Sequence, residues 1–409
     1  MSDNHIFRRE FLGRLAAAGT LGGVASSGST STARAAEAQQ KWQPTSDRKV
    51  KIGIVGYGYC KFGAAFGFQD HPNVEIVAVS DLFPDRCRGL MQACRCEKSY
   101  PSLEELVKDD SIEAVFTATD APSHARHSIE VLKHGKHAAT AVPATFGSVE
   151  DGQRLLETVE KAGLKYMMFE TSCFRADCHA MRTAFHAGAF GNLHYSEGEY
   201  HHYHASKQPT PSYKDWRRGV PPMWYPTHAT AYYPGVTGER FTSVSCIGTE
   251  GHLPYHKPDA NPYKNPFSTE TALFETSEGA SSRMSVSWSM KSIYGECGRV
   301  FGRSGCMNGT QYRGLAKKLP DLARPPLPPG VPGGGHGGSH GLLMDEFVTA
   351  IIEDRDPLID VYEALAMTVP GIVAHQSALR DGERLPVPQY RTRKRGPGSS
   401  ETGRPSSVR

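Results

Sequence analysis

Val50-Lys51-Ile52-Gly53-Ile54-Val55-Gly56-Tyr57-Gly58 is the stretch on which the fold turns. Its first six residues form a short, largely β-branched run that reads as a strand. The Gly-x-Gly directly after it is half of a dinucleotide-binding fingerprint. The first glycine allows the tight turn, and the second lets a pyrophosphate approach the backbone at a helix N-terminus. The third glycine is missing from its usual place, where Lys61 stands, and Gly63 follows two residues later. Residues 75–80 read as a second strand closed by Asp81, 23 residues beyond Gly58. A carboxylate there accepts hydrogen bonds from the adenosine ribose hydroxyls and repels a 2′-phosphate, which favours NAD over NADP. Residues 114–118 form a further strand, while 103–107, 124–134 and 149–162 carry apolar residues three or four apart and read as helices. Strands alternating with helices predict a parallel sheet with right-handed crossovers.

Past residue 170 or so the texture changes. Strand-like alternation appears in 193–204, 242–247, 271–275 and 283–290, separated by Pro-rich and Gly-rich loops, and helices return at 342–352 and 361–379. This predicts an α/β chain in two parts, a Rossmann domain over 47–168 and an α+β substrate domain over 169–390. A length of 409 residues is comfortable for two domains. Hydrophobic residues at 38% and charged residues at 22% exclude a membrane transporter and a wholly disordered chain, and no integral membrane segment is expected. The net charge of +3 is carried by the ends. Residues 391–409 hold six basic residues against one acidic, and residues 1–36 hold four against two, which leaves the body at −4. An acidic body argues against a nucleic-acid partner, and the Gly/Ser/Pro-rich tail over 391–409 is expected to be disordered. Nine cysteines with no CxxC pair support neither a disulfide framework nor a zinc knuckle.

Arg8-Arg9-Glu10-Phe11-Leu12 precedes a short Ala/Gly-rich apolar stretch and the small-residue sites Ala33-Arg34-Ala35 and Ala36-Glu37-Ala38. This order resembles a twin-arginine (Tat) export signal over residues 1–38, which implies a periplasmic or otherwise exported protein. That route exports proteins already folded, often with a cofactor inside.

Thr117-Ala118-Thr119 with Pro122 and His124, then Leu132-Lys133-His134-Gly135-Lys136-His137 and Pro143, and Gly188-Ala189-Phe190-Gly191 further on, resemble the Gfo/Idh/MocA oxidoreductase family. The resemblance implies an N-terminal domain that holds NAD through Gly56, Gly58, Tyr59, Asp81, Thr119, His124 and Pro143. It also implies a C-terminal open-faced, mainly antiparallel sheet that builds the substrate pocket and often a homo-oligomer interface. The family's usual dehydrogenases carry Glu-Lys-Pro where this chain has Ala141-Val142-Pro143, and often an aspartate four residues before a catalytic histidine, where this chain has Trp224 and His228. Two acid–base groups of an ordinary sugar dehydrogenase are therefore absent. Val142-Pro143, Tyr225-Pro226-Thr227-His228 and His336-Gly337-Gly338 resemble instead the NAD-dependent glycoside hydrolases of the α-N-acetylgalactosaminidase type. Ala141 departs from the glutamate of that branch, so its aminosugar specificity does not carry over.

Pro226 is placed to open a helix, so Tyr225 and His228 are expected one turn apart, where a phenol and an imidazole can exchange protons with a sugar hydroxyl or a carbon acid. Tyr200, His202 and His204 share one face of an expected strand and could line a sugar pocket, face solvent or bind a metal. Zinc needs three or four converging ligands, and only two histidines lie on that face, so no metal is assigned. The glycines of residues 333–341 would let a loop approach a ligand, with His336 as the functional group and His340 as a substrate contact. Outside the cytoplasm no free NAD pool exists, so bound NAD must be restored within each cycle. Hydride removal from a sugar carbon, elimination or epimerisation beside the new ketone, and hydride return would meet that need, with a base such as Tyr225. The expectation is an exported, NAD-containing, redox-neutral enzyme acting on a small carbohydrate. The alternatives are a net sugar or cyclitol dehydrogenase and a non-catalytic sugar- or NAD-binding protein.

Overall fold

The computed structural model describes residues 41–204 and 209–390. The expected export signal and the basic tail lie outside the described residues. Six strands, β1 (Val50–Val55), β2 (Val74–Ser80), β3 (Ser99–Tyr100), β4 (Ala114–Thr117), β5 (His137–Ala141) and β6 (Tyr166–Phe169), form one parallel sheet in the order β3-β2-β1-β4-β5-β6. All four residues of β4 and of β6 are buried, as expected for parallel strands covered on both faces. The sheet-covering helix Val149–Ala162 shows the local logic. The Ser148 side chain accepts from the Asp151 N–H, Glu150 and Asp151 occupy the first turn, and Gly163 at φ 66° ends it.

The second sheet has eight strands. They are β7 (Leu193–His201), β8 (Phe241–Glu250), β9 (Phe267–Thr276), β10 (Ser281–Ser287), β11 (Glu296–Gly302), β12 (Gly305–Asn308), β13 (Gln311–Gly314) and β14 (Leu385–Pro386), in the order β13-β12-β11-β7-β10-β9-β8-β14. Every pairing is antiparallel except β7 with β10. Strand β7 ends at His201, three residues sooner than the alternation predicts. His202 and His204 continue past it, tied by their N–H groups to the Ser287 and Trp288 carbonyls at 2.8 Å each.

Both sheets share one hydrophobic core. The helix Val361–Ala378 is buried almost all round, and the Asp360 carboxylate caps it by accepting from the Tyr362 and Glu363 N–H groups at 2.9 and 3.0 Å. Its His375 Nδ1 lies 2.6 Å from Glu270 Oε1 on β9, while Glu270 Oε2 accepts from the Met223 N–H at 2.7 Å. This buried bracket fixes the turn that presents Tyr225. No helix among the described residues is long and apolar enough to cross a membrane.

Candidate functional site

The loop after β1 borders an open cleft of about 1130 Å³. Gly56 has φ 101°, and a Cβ there would lie 2.5 Å from the Ala118 carbonyl oxygen, so only glycine fits. At Gly58 a Cβ would meet nothing within 4 Å, which leaves open space beside the backbone for a ligand. A Cβ on Gly63 would lie 2.3 Å from the Gly56 oxygen. Gly63 therefore performs the close helix–strand packing of the third fingerprint glycine, which is displaced rather than missing. Lys61, in its nominal place, holds a left-handed turn at φ 51°.

Gly56, Gly58, Tyr59, Asp81, Thr119 and His124 all line this cleft. Asp81 Oδ2 accepts from the Tyr57 N–H at 2.7 Å and Oδ1 from the Phe83 N–H at 2.9 Å, so the carboxylate also holds the two loops it lies between. Pro143 does not line the cleft. Its carbonyl lies 2.9 Å from His124 Nδ1, and burial pushes that ring's pKa down. A neutral His124 thus braces the Pro143 loop, which corrects the expectation that Pro143 meets the cofactor directly. The glycine cradle and the Asp81 carboxylate fit a dinucleotide.

A second cavity of about 1560 Å³ adjoins the cleft, and Val142, Arg217 and Tyr225 line both. Tyr200, His202, His204, His228 and His336 line the second cavity, so the structure brings these expected residues together. The helix after Pro226 begins at Thr227 with the proline as its N-cap, and the Tyr225 and His228 ring centroids are 5.8 Å apart. Burial pushes the Tyr225 phenol up to about 12, so it stays protonated near neutral pH. That protonation state stands against its expected role as a base. His202 and His204 have their centroids 5.1 Å apart, and His204 stacks on Trp288 at 5.5 Å. Among the described residues, no three His, Cys, Asp or Glu side chains converge as a metal set.

His228 is 3% exposed, and its Nδ1 lies 2.7 Å from Oε1 of the fully buried Glu170. Burial works against the charged imidazolium, but the carboxylate outweighs it and raises the His228 pKa above the ordinary value. Across the cavity His336 stacks on His228 at 6.0 Å between centroids. Burial, then the nearby His228, push its pKa down to about 4. His340 is buried and does not line the cavity; its Nε2 lies 2.8 Å from His336 Nδ1. It stands behind His336, which corrects the expectation of a substrate contact. Glu170, Glu296, Ser172 and Arg175 were not expected. The Ser172 hydroxyl donates to Glu296, the Arg175 guanidinium lies 3.6 Å from the same carboxylate, and burial raises the Glu296 pKa.

Residues 50–170 match a family described as oxidoreductases with an NAD-binding Rossmann fold, Gfo/Idh/MocA. This stretch is thus similar to the Gfo/Idh/MocA oxidoreductases. Residues 50–170 carry an NAD-binding Rossmann fold. The chain is also similar to a glycosyl hydrolase family 109 protein of Porphyromonas gingivalis (strain ATCC BAA-308 / W83), 30% identical over 162 residues, which cover 37% of this chain and 34% of that one. It is 25% identical over 391 residues to another of Streptomyces filamentosus, covering 83% and 77%. The chain spans about a third of the length of the first curated relatives it matches. Levoglucosan dehydrogenase, solved in complex with NADH and levoglucosan, shares the fold with a TM-score of 0.69 at 16% identity, covering 84% of this chain and 100% of that one. Within this Gfo/Idh/MocA frame, Val142 borders both cavities where the dehydrogenases are expected to carry lysine. Trp224, in the place of their aspartate, packs against Phe146, Tyr263 and His375. Neither position can hold a proton.

Proposed function

We propose that this protein acts on a carbohydrate by a redox-neutral, glycosidase-like or sugar-modifying reaction, with His228 as the acid and His336 as the base. The observation that carries this reading is the pair of stacked histidines, 6.0 Å apart, whose environments push their pKa values in opposite directions. Such divergence marks an acid and a base. NAD, when bound, supplies a reversible hydride acceptor for a sugar C–H. This chain's residues supply everything else. Glu170 holds His228 Nδ1, which leaves Nε2 to donate a proton to a departing oxygen. Neutral His336 accepts a proton from a sugar hydroxyl or an acidified C–H. Tyr225, at the junction of the two cavities, donates a hydrogen bond there. Trp288 and Tyr200 offer apolar faces to a sugar ring. The family 109 names of the relatives and the levoglucosan seen in a structural neighbour favour a carbohydrate.

The decisive experiment is turnover of aryl glycosides by the purified protein without added dinucleotide, followed by denaturation and mass spectrometry of what is released. Turnover with NAD released and no net reduction supports the reading. Turnover that requires a second, reoxidising substrate indicates a net dehydrogenase. Retained NAD with no turnover of any sugar indicates a binding protein.

The same reading includes export by the twin-arginine route, supported by Arg8-Arg9 and the stretch that follows them. A reporter fused to residues 1–38 should reach the periplasm, and Arg8→Lys with Arg9→Lys should stop it. It also includes self-association through the second sheet, supported by exposed Ile247 and Leu273 on adjacent strands and checked by light scattering. A division at residues 168/169 is part of the proposal, tested by limited proteolysis.

A further inference from the structure

The glycine-rich segment closes around a single histidine. A Cβ on Gly334 would lie 2.8 Å from the His340 Cβ, and one on Gly335 would lie 2.9 Å from its Cε1. The two glycines are thus required by the His340 ring rather than by a ligand. His336, two residues after Gly334, is held at φ 50°, a left-handed conformation that side-chain-bearing residues adopt rarely. Strain of this kind persists where the surroundings hold a side chain in one aim.

The ring nitrogens of His340 are both engaged. Nε2 lies 2.8 Å from His336 Nδ1. Nδ1 lies 3.1 Å from the Ala65 carbonyl oxygen, at the end of the short helix Phe62–Ala65 that follows the glycine loop of the cofactor cleft. The Gly335 N–H also approaches His340 Nδ1, at 3.3 Å. A carbonyl can only accept and an N–H can only donate, so Nδ1 satisfies one of them. The Ala65 contact is the shorter, and Gly335 lies at an exposed position where water can meet its N–H, whereas a bare Nδ1 would set its lone pair against that of the Ala65 carbonyl. The Ala65 contact favours the proton on Nδ1. Nε2 is then an acceptor, His336 Nδ1 must donate to it, and the lone pair of His336 is left on Nε2.

We propose that His340 is a positioning residue that fixes the tautomer of His336, through a two-bond relay ending on Ala65, and so presents a bare Nε2 to the substrate cavity. The inference deepens the reading of His336 as the base and rests on it for its catalytic meaning. The relay itself can be examined without any substrate. It makes His336 act through the cofactor-side helix, so the base is aimed by the same element that borders the dinucleotide.

The test is nitrogen NMR of the histidine-labelled, NAD-loaded full chain, with His336→Gln used to assign the His336 signals. The expected result is a protonated Nδ1 and an unprotonated Nε2 in the wild type. In His340→Leu both nitrogens should average between tautomers, and in His340→Gln, whose amide can accept from one side and donate to the other, the wild-type pattern should return. A wild-type His336 protonated at Nε2 overturns the proposal, as does an unchanged tautomer in His340→Leu. If His340→Leu does not fold, the wild-type and His340→Gln spectra decide alone. On an identified substrate, loss of the tautomer should lower kcat by up to about 10²–10⁴-fold with KM little changed. The wild-type tautomer pattern without any turnover would spare the relay and remove the proposed function.

Discussion

Replacing Glu170 with glutamine removes one charge and almost no volume, and the structure sets what should follow. Glu170 Oε1 accepts from the Ser172 N–H at 2.8 Å and faces His228 Nδ1 at 2.7 Å, with both side chains out of reach of solvent. The amide oxygen of Glu170→Gln keeps the bond from Ser172, so the loss is that of one charge-assisted bond, about 2 kcal/mol. That corresponds to about a thirtyfold rise in the unfolding constant. The cost depends on pH in a defined way. The Glu170 pKa is lowered from 4.5, because the attraction of His228 outweighs burial, and the His228 pKa is raised from 6.5 because Glu170 outweighs burial there. The stabilisation is complete between those two ordinary values. It fades as pH falls through the lowered Glu170 pKa and as pH rises through the raised His228 pKa. Thermal unfolding should therefore separate wild type from Glu170→Gln most between about pH 4.5 and 6.5, and the curves should converge in alkali. In the variant, only Glu296 still opposes burial, and the His228 pKa falls. Turnover near pH 7 should drop by about 10²–10⁴-fold, the size of a lost general acid. The alkaline limb of the pH–rate profile should also move to lower pH, while bound NAD is unchanged. An unmoved alkaline limb, or a stability difference that grows in alkali, would refute the reasoning.

Tyr225→Phe should lose about 10²–10⁴-fold in turnover while NAD stays bound, because it removes only the phenolic donor at the junction of the cavities. Asp81→Ala removes the ribose acceptor and releases the Tyr57 and Phe83 N–H groups, so NAD retention should weaken by about 1.5–3 kcal/mol in a dilution assay. NADP should then compete, whereas unchanged retention would remove Asp81 from the cofactor site. Gly63→Ala sets a methyl against the Gly56 carbonyl and should destabilise the domain as read by thermal unfolding. Gly58→Ala meets nothing within 4 Å and should fold normally yet lose bound dinucleotide.

The Rossmann half was legible because its evidence is local. A strand, a turn that only glycine can make and an acid at the next strand's end sit within one short stretch, and β1, β2 and β4 fall on the predicted runs. The second half was legible as strands but not as an order, since β7 lies between β10 and β11, which come far later in the chain. Lys61 looked like a missing glycine because sequence spacing cannot show that Gly63 meets the Gly56 carbonyl. His340 looked like a ligand contact because nothing local places Ala65 behind it. Glu170 carried a signal that went unused. It follows the strand Tyr166–Phe169 directly, at the carboxyl edge of a parallel sheet where ligands gather.

The division of labour among the histidines was illegible for a different reason. His228 and His336 are the same residue type in the same cavity, and what distinguishes them is a buried carboxylate just after β6 beside one and a second imidazole beside the other. The apolar residues at 142 and 224 make that difference consequential. With Val142 at the junction of the two cavities and Trp224 packed into the core, the lysine and aspartate of an ordinary dehydrogenase are absent, and only the histidine, His228, stands where one would have it. Tyr225 stands at the junction of the two cavities, and His228 and His336 face each other in the second, with His202, His204 and Glu296 on the same lining. A dehydrogenase needs one proton acceptor beside the hydride path. A reaction that leaves the cofactor unchanged needs an acid and a base that can each reverse, and the stacked pair with opposed pKa shifts meets that requirement.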